Sequence, residues 1–211
     1  MINTVRLRSM LGWLGMLLPW IVFALAFIAP EYTEYIGHLI PVDSISATYY
    51  ISTCVAPFMI ILGAAGLLLI SYKGYDKQDD IICTLAGIFG LLICIFPCDS
   101  SMKLVGTFAL SPTVSGLIHN ISAAVFFILL AYNSLFLFTK SSGEMTESKK
   151  KRNVIFRVCG IGMVASLIAI FPVMLLGLWG GTWLVEAVAL AFFGISWLTK
   201  SNIYPWLFAE K

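Results

Sequence analysis

Six long apolar stretches divide the chain, separated by short polar segments. They run from about Met10 to Ala29, Tyr50 to Tyr72, Ile81 to Pro97, Thr113 to Phe138, Val154 to Leu178 and Thr182 to Thr199. A helix needs about 20 mostly apolar residues to cross the hydrocarbon of a bilayer, so the pattern predicts an all-α bundle of six transmembrane helices. The third and sixth stretches are short for that task, which implies a locally thin bilayer or polar residues completing the crossing. The first follows Arg6 and Arg8 and contains Ala24-Leu25-Ala26, which mimics a signal cleavage site. Its apolar run is longer than the roughly 7–15 residues of a signal core, so it is read as a retained helix.

Composition agrees with this reading. Of 211 residues, 60% are hydrophobic and 11% charged, with mean hydropathy +0.94. A soluble domain carries about a quarter charged residues. The deficit excludes a disordered chain, a nucleic-acid binder and an ordinary cytosolic enzyme. A net charge of +2 supports no polyanion partner. The five cysteines are odd in number and lie mostly within apolar runs, where a small membrane-compatible side chain is the ordinary reading. One bridge, Cys54–Cys98, is conceivable if the outer side is oxidising.

The position of the charges says more than their sum. With the N-terminus inside, every Lys and Arg except Lys103 falls in or beside an inner segment. That asymmetry predicts cytoplasmic N- and C-termini. The inner loop from Thr139 to Asn153 ends in Lys149-Lys150-Lys151-Arg152, which anchors topology at the mouth of helix five or docks anionic lipid. The outer loop from Glu31 to Tyr50 is longer than a minimal connection and suits a short interfacial segment over the outer mouth. Residues 1–211 read as one integral membrane domain without internal repeats. Gly63-Ala64-Ala65-Gly66, Gly87 with Gly90, and Gly177 with Gly181 are small-residue patches suited to close helix packing.

Ionisable groups within a membrane helix are costly and tend to face the bundle interior with partners. Asp99 at the outer end of helix three, His119 in helix four and Glu186 in helix six fall within about one turn of a common depth. Ser115 and Ser122 share the face of His119 at helical spacing. Ser44, Ser46 and Tyr50 crowd the outer entry of helix two, where they can rim the same place. A histidine beside carboxylates can act as general acid or base, hold a metal such as zinc, relay protons or cations, or fix helix register through hydrogen bonds. The metal reading would use His119, Asp99, Glu186 and His38. With two histidines and no His-x-x-x-His pair, it is the weakest of these, and no cofactor is expected. No Gly-x-Ser-x-Gly nucleophile elbow is present.

Several segments together, SISATYY, LISYKGYD, FPCDS followed by GLIHN, AAVFFILLAY, KKKRNVIFRVCG and EAVALAFFGISWLTK, resemble a family of bacterial six-helix membrane proteins. It is the group known as domain of unknown function 998, distantly similar to the Frag/DRAM/Sfk-like membrane proteins. The resemblance covers most of residues 44–200. Its sharpest piece pairs FP-x-D with G-x-x-H-N, placing Pro97, Asp99, Gly116 and His119 at motif positions. It implies the six-helix topology, a bacterial inner membrane and, by analogy alone, a lipid ligand; it brings no activity. The leading expectation is a transporter-like membrane protein with an outward-facing polar pocket that binds or moves a small molecule or lipid. The alternatives are a membrane-embedded lipid-processing enzyme using His119 with Asp99 and Glu186, and a structural or envelope-stress scaffold.

Overall fold

The computed structural model describes residues 4–30, 41–141 and 143–202. Six α-helices follow in order: α1 Thr4–Ala26, α2 Val55–Ser71, α3 Lys77–Ile95, α4 Pro112–Tyr132, α5 Glu147–Leu175 and α6 Gly181–Ser201. A 3-10 turn, Ser46–Tyr50, precedes α2, and a π turn, Asn133–Leu137, extends α4. Each helix packs on the next, and α6 returns to α1, so the six close into a ring. Its centre is filled by Phe58, Leu62, Phe126, Phe193 and Trp197 among others.

Five of the helices are long and apolar enough to cross a membrane; α2 is shorter, Val55–Ser71. The expected second stretch began at Tyr50, but the chain there forms the 3-10 turn and α2 starts at Val55. Pro57 explains the late start. It lacks the amide proton needed by a helix interior and is tolerated within the first turn. At 17 residues and about 1.5 Å per residue, α2 is about 25 Å long, and the segment before it completes the height of the ring.

Other boundaries shift for local reasons. Helix α3 starts at Lys77 rather than Ile81, because the Asp76 carboxylate accepts the N–H groups of Gln78 and Asp79 as an N-cap. It ends at Ile95, two residues before Pro97, which disfavours helical backbone at Phe96. Helix α5 starts at Glu147, where Thr146 accepts the Lys149 N–H at 3.2 Å. The basic run Lys149–Arg152 therefore lies within the first turns of α5, not in a loop as expected.

The outward surface is as apolar as the interior. Ile60, Leu117, Ile161, Ile168 and Phe171 are all more than half exposed. A ring with apolar side chains on both faces is unsuited to water and suited to lipid. Between α2 and α3, a Cβ on Gly87 would collide with the Gly66 carbonyl and Ile70, so this expected small-residue patch does bring two backbones together. Gly177 differs: it has φ +58° and open space around it, and serves a turn.

Candidate functional site

Helices α1, α3 and α5 end where α2, α4 and α6 begin, and at this polar mouth the candidate residues gather. Helix α4 presents Ser115, His119 and Ser122 on its buried face, as their spacing predicts. The rest of the arrangement follows from the broken end of α3. A helix leaves its last carbonyls without intrahelical donors, and Pro97 prevents the chain from continuing. The carbonyl oxygen of Phe96 lies 2.8 Å from His119 Nδ1. The Ser115 hydroxyl donates to the Pro97 carbonyl at 2.7 Å, and the Tyr50 hydroxyl donates to the Cys98 carbonyl at 2.5 Å. Three successive carbonyls are thus capped by three side chains.

A carbonyl only accepts, so Nδ1 of His119 carries the proton. In the neutral ring Nε2 then accepts from the Ser46 hydroxyl, 2.8 Å away. Glu186 of α6 accepts the Ile45 N–H at 2.6 Å. The neighbouring residues Ile45 and Ser46 therefore tie the same segment to α6 and to α4. Ser44 accepts the Ala47 N–H at 3.0 Å and shapes the 3-10 turn itself.

Further ties seat this segment. Asp43 accepts the Gly180 N–H at 3.1 Å, and its carbonyl accepts the Trp183 N–H at 2.8 Å. Thr53 donates to the Leu25 carbonyl at 2.9 Å. Residues 41–54 thus close the mouth as a stopper bonded to α1, α4, α6 and the end of α3.

Asp99 stands apart from these ties. It is exposed, and its carboxylate accepts the N–H of Ser100 at 2.9 Å. Its backbone is what packs on α4: a Cβ added to Gly116 would lie 3.0 Å from the Asp99 nitrogen. Ser122 is buried one turn beyond His119. His38 lies outside the described residues. Among the described residues, no group of three or more His, Cys, Asp or Glu side chains converges to hold a metal ion. None of the five cysteines is joined in a disulfide, so the conceivable Cys54–Cys98 bridge is absent from this structure. Burial first, and then the Glu186 charge, push the Cys98 thiol up to about 12, which leaves little reactive thiolate near neutral pH.

No family model, no curated protein and no solved structure matches this chain. The geometry alone therefore carries the functional reading. Chemically, the mouth offers little: both ring nitrogens of His119 are engaged, and one Glu186 oxygen holds a backbone amide.

Sequence reasoning missed Asp43, whose two ties to the start of α6 make it as much a part of the mouth as Glu186. It also missed Lys200, which is buried at the opposite, basic end. A signal for Lys200 exists. Glu186, Leu190, Phe193, Trp197 and Lys200 recur at steps of three and four, which places them along one side of α6. The stripe that turns Glu186 inward at one end turns Lys200 inward at the other.

Proposed function

We propose that the chain is a multi-pass protein of the bacterial cytoplasmic membrane, with both termini inside, that binds a membrane phospholipid without transforming it. One observation carries the reading. A groove of about 530 Å³ runs along the outside of α1 against Ile61 of α2, walled by Met10, Trp13, Leu17 and Ile21, with Arg6 at its basic end. Apolar walls fit an acyl chain. A guanidinium at one end complements a phosphate, which it can bind with two parallel hydrogen bonds.

The stopper at the polar mouth supports entry from the side rather than through an outward-facing pocket. On this reading Asp43, Ser46, His119 and Glu186 hold the ring shut. The resemblance to six-helix membrane proteins agrees with the topology and adds no activity. The enzyme reading gains no observation, since the histidine it needs is spent on a helix cap and a serine.

The test is the lipid that stays with the protein. Purification in a mild detergent followed by lipid extraction is expected to show anionic phospholipid enriched over the source membrane. Arg6→Gln is expected to reduce that enrichment. A lipid composition equal to that of the bulk membrane would sink the proposal.

A further inference from the structure

Lys200 is only 8% exposed, yet among the described residues its ammonium meets ring faces and no hydrogen-bond acceptor. It lies 4.4 Å from the Tyr75 ring centre and 4.9 Å from that of Phe138. The Phe138 carbonyl, a nearby acceptor, is taken by Lys149 Nζ at 2.7 Å. Arg8 sits over the Tyr72 ring at 5.5 Å and its Nη1 donates to the Lys200 carbonyl at 3.5 Å, while its Nε is buried without a partner among the described residues. The charges of Lys149, Arg8 and Arg152 all act on Lys200. The opposing carboxylate, Asp79, is already bonded to Lys140 Nζ at 2.8 Å and to the Tyr75 N–H at 2.8 Å.

Three helices, α1, α5 and α6, thus bring four cations to one aromatic-walled recess at the basic end. Aromatic faces return only part of the hydration an ammonium loses on burial. Among the described residues, Lys200 Nζ and Arg8 Nε are buried donors without an acceptor, and Asp79 is already committed; two such donors suit an anion.

We propose that this recess binds a phosphate-bearing anion, with Lys200 and Arg8 donating to its oxygens and Lys149 and Arg152 supplying the surrounding field. Arginine and lysine suit phosphate oxygens as fork and point charge respectively. The anion comes either from a phospholipid headgroup or from free phosphate. The inference rests on the membrane reading above but not on the α1 groove, whose Arg6 lines a separate wall.

The experiment measures thermal unfolding of the full-length protein in detergent, titrated with phosphatidylglycerol, inorganic phosphate or a diacylglycerol of the same chains. Phosphatidylglycerol is expected to raise the midpoint saturably, and diacylglycerol is not. Lys200→Met is expected to weaken this binding by about tenfold or more, the loss of one charge-assisted contact. Lys151→Gln, on the exposed side of α5, is expected to leave it within about twofold. If the lysine variant fails to fold, Arg8→Gln reads the same loss. A midpoint raised by phosphatidylglycerol alone assigns the lipid headgroup, and one raised by inorganic phosphate assigns the free anion. No response to either, or equal losses in Lys200→Met and Lys151→Gln, overturns the site. Failure of the groove is separate: Arg6→Gln would leave co-purified lipid unchanged while the Lys200 dependence persisted.

Discussion

Nδ1 of His119 lies 2.8 Å from the carbonyl oxygen of Phe96, so the one histidine in the described helices closes the broken end of a neighbouring helix. This relationship explains why a costly polar residue stands in an apolar helix. Without it, the Phe96 carbonyl would face the bundle with no donor, since its own helix stops at Ile95.

Removing the imidazole should therefore harm the fold rather than a reaction. His119→Ala leaves the Phe96 carbonyl and the Ser46 hydroxyl without partners, at about 1–3 kcal/mol for each group left unpaired. Asp99→Asn alters an exposed side chain and should stay within about 0.5 kcal/mol. Thermal unfolding in detergent compares the two. Equal effects would mean that Asp99 belongs to the network after all.

A second prediction concerns how tightly α4 meets the end of α3. A methyl group on Gly116 would sit 3.0 Å from the Asp99 nitrogen and 3.1 Å from its Cβ. Most of that obstacle is backbone and cannot swing aside, so Gly116→Ala should cost about 1–3 kcal/mol. Gly63 has nothing within 4 Å of the same added methyl. Gly63→Ala should be neutral or stabilising by up to about 1 kcal/mol through helix propensity. Opposite signs in one unfolding assay would support the close contact; matching signs would refute it.

At the basic end, Lys140 bridges Asp76 and Asp79 at 2.8 Å each. The Lys140 bond, followed by the Asp79 N–H, holds the Asp76 carboxyl below the usual carboxylate range. A carboxyl with a lowered folded pKa stabilises the fold above its unfolded pKa of about 3.9. That stabilisation is lost as pH falls through the lower folded value. Stability measured from pH 7 down to about pH 3 should therefore fall on the acid side, and Lys140→Gln should flatten that fall. An unchanged acid limb in the variant would show that the bridge does not act.

The helices and the buried face of α4 were legible because both depend on local pattern. Apolar runs mark the helices, and Ser115, His119 and Ser122 share a side by helical spacing alone. The pairing of His119 with Phe96 was not legible, because its partner is a backbone carbonyl and carries no residue-type signal. The same holds for Glu186 and the Ile45 amide. Asp99 looked like a member of the cluster by depth, but depth does not determine the direction of a side chain after a proline-broken helix end. The early start of α3 could have been read from Asp76, a capping residue before Lys77. Lys200 directly follows the last apolar stretch, yet the three-and-four spacing from Glu186 places it on the inward stripe.

The last prediction concerns which side of the membrane each end faces. The polar mouth carries Lys103, whereas the opposite end gathers Arg8, Lys73, Lys140, Lys149 and Lys200. Positive charge is retained on the cytoplasmic side. Lys103→Cys should therefore react with a membrane-impermeant maleimide on intact cells, and Gly143→Cys only after the membrane is broken. Both positions are exposed, and of the native thiols only Cys98 is not fully buried, so the background is low. The reverse labelling would turn the chain over and place the Lys200 recess on the outside. The expected labelling places it at the cytoplasmic leaflet, where a recess of buried cations meets the anionic headgroups that juxtamembrane basic residues bind.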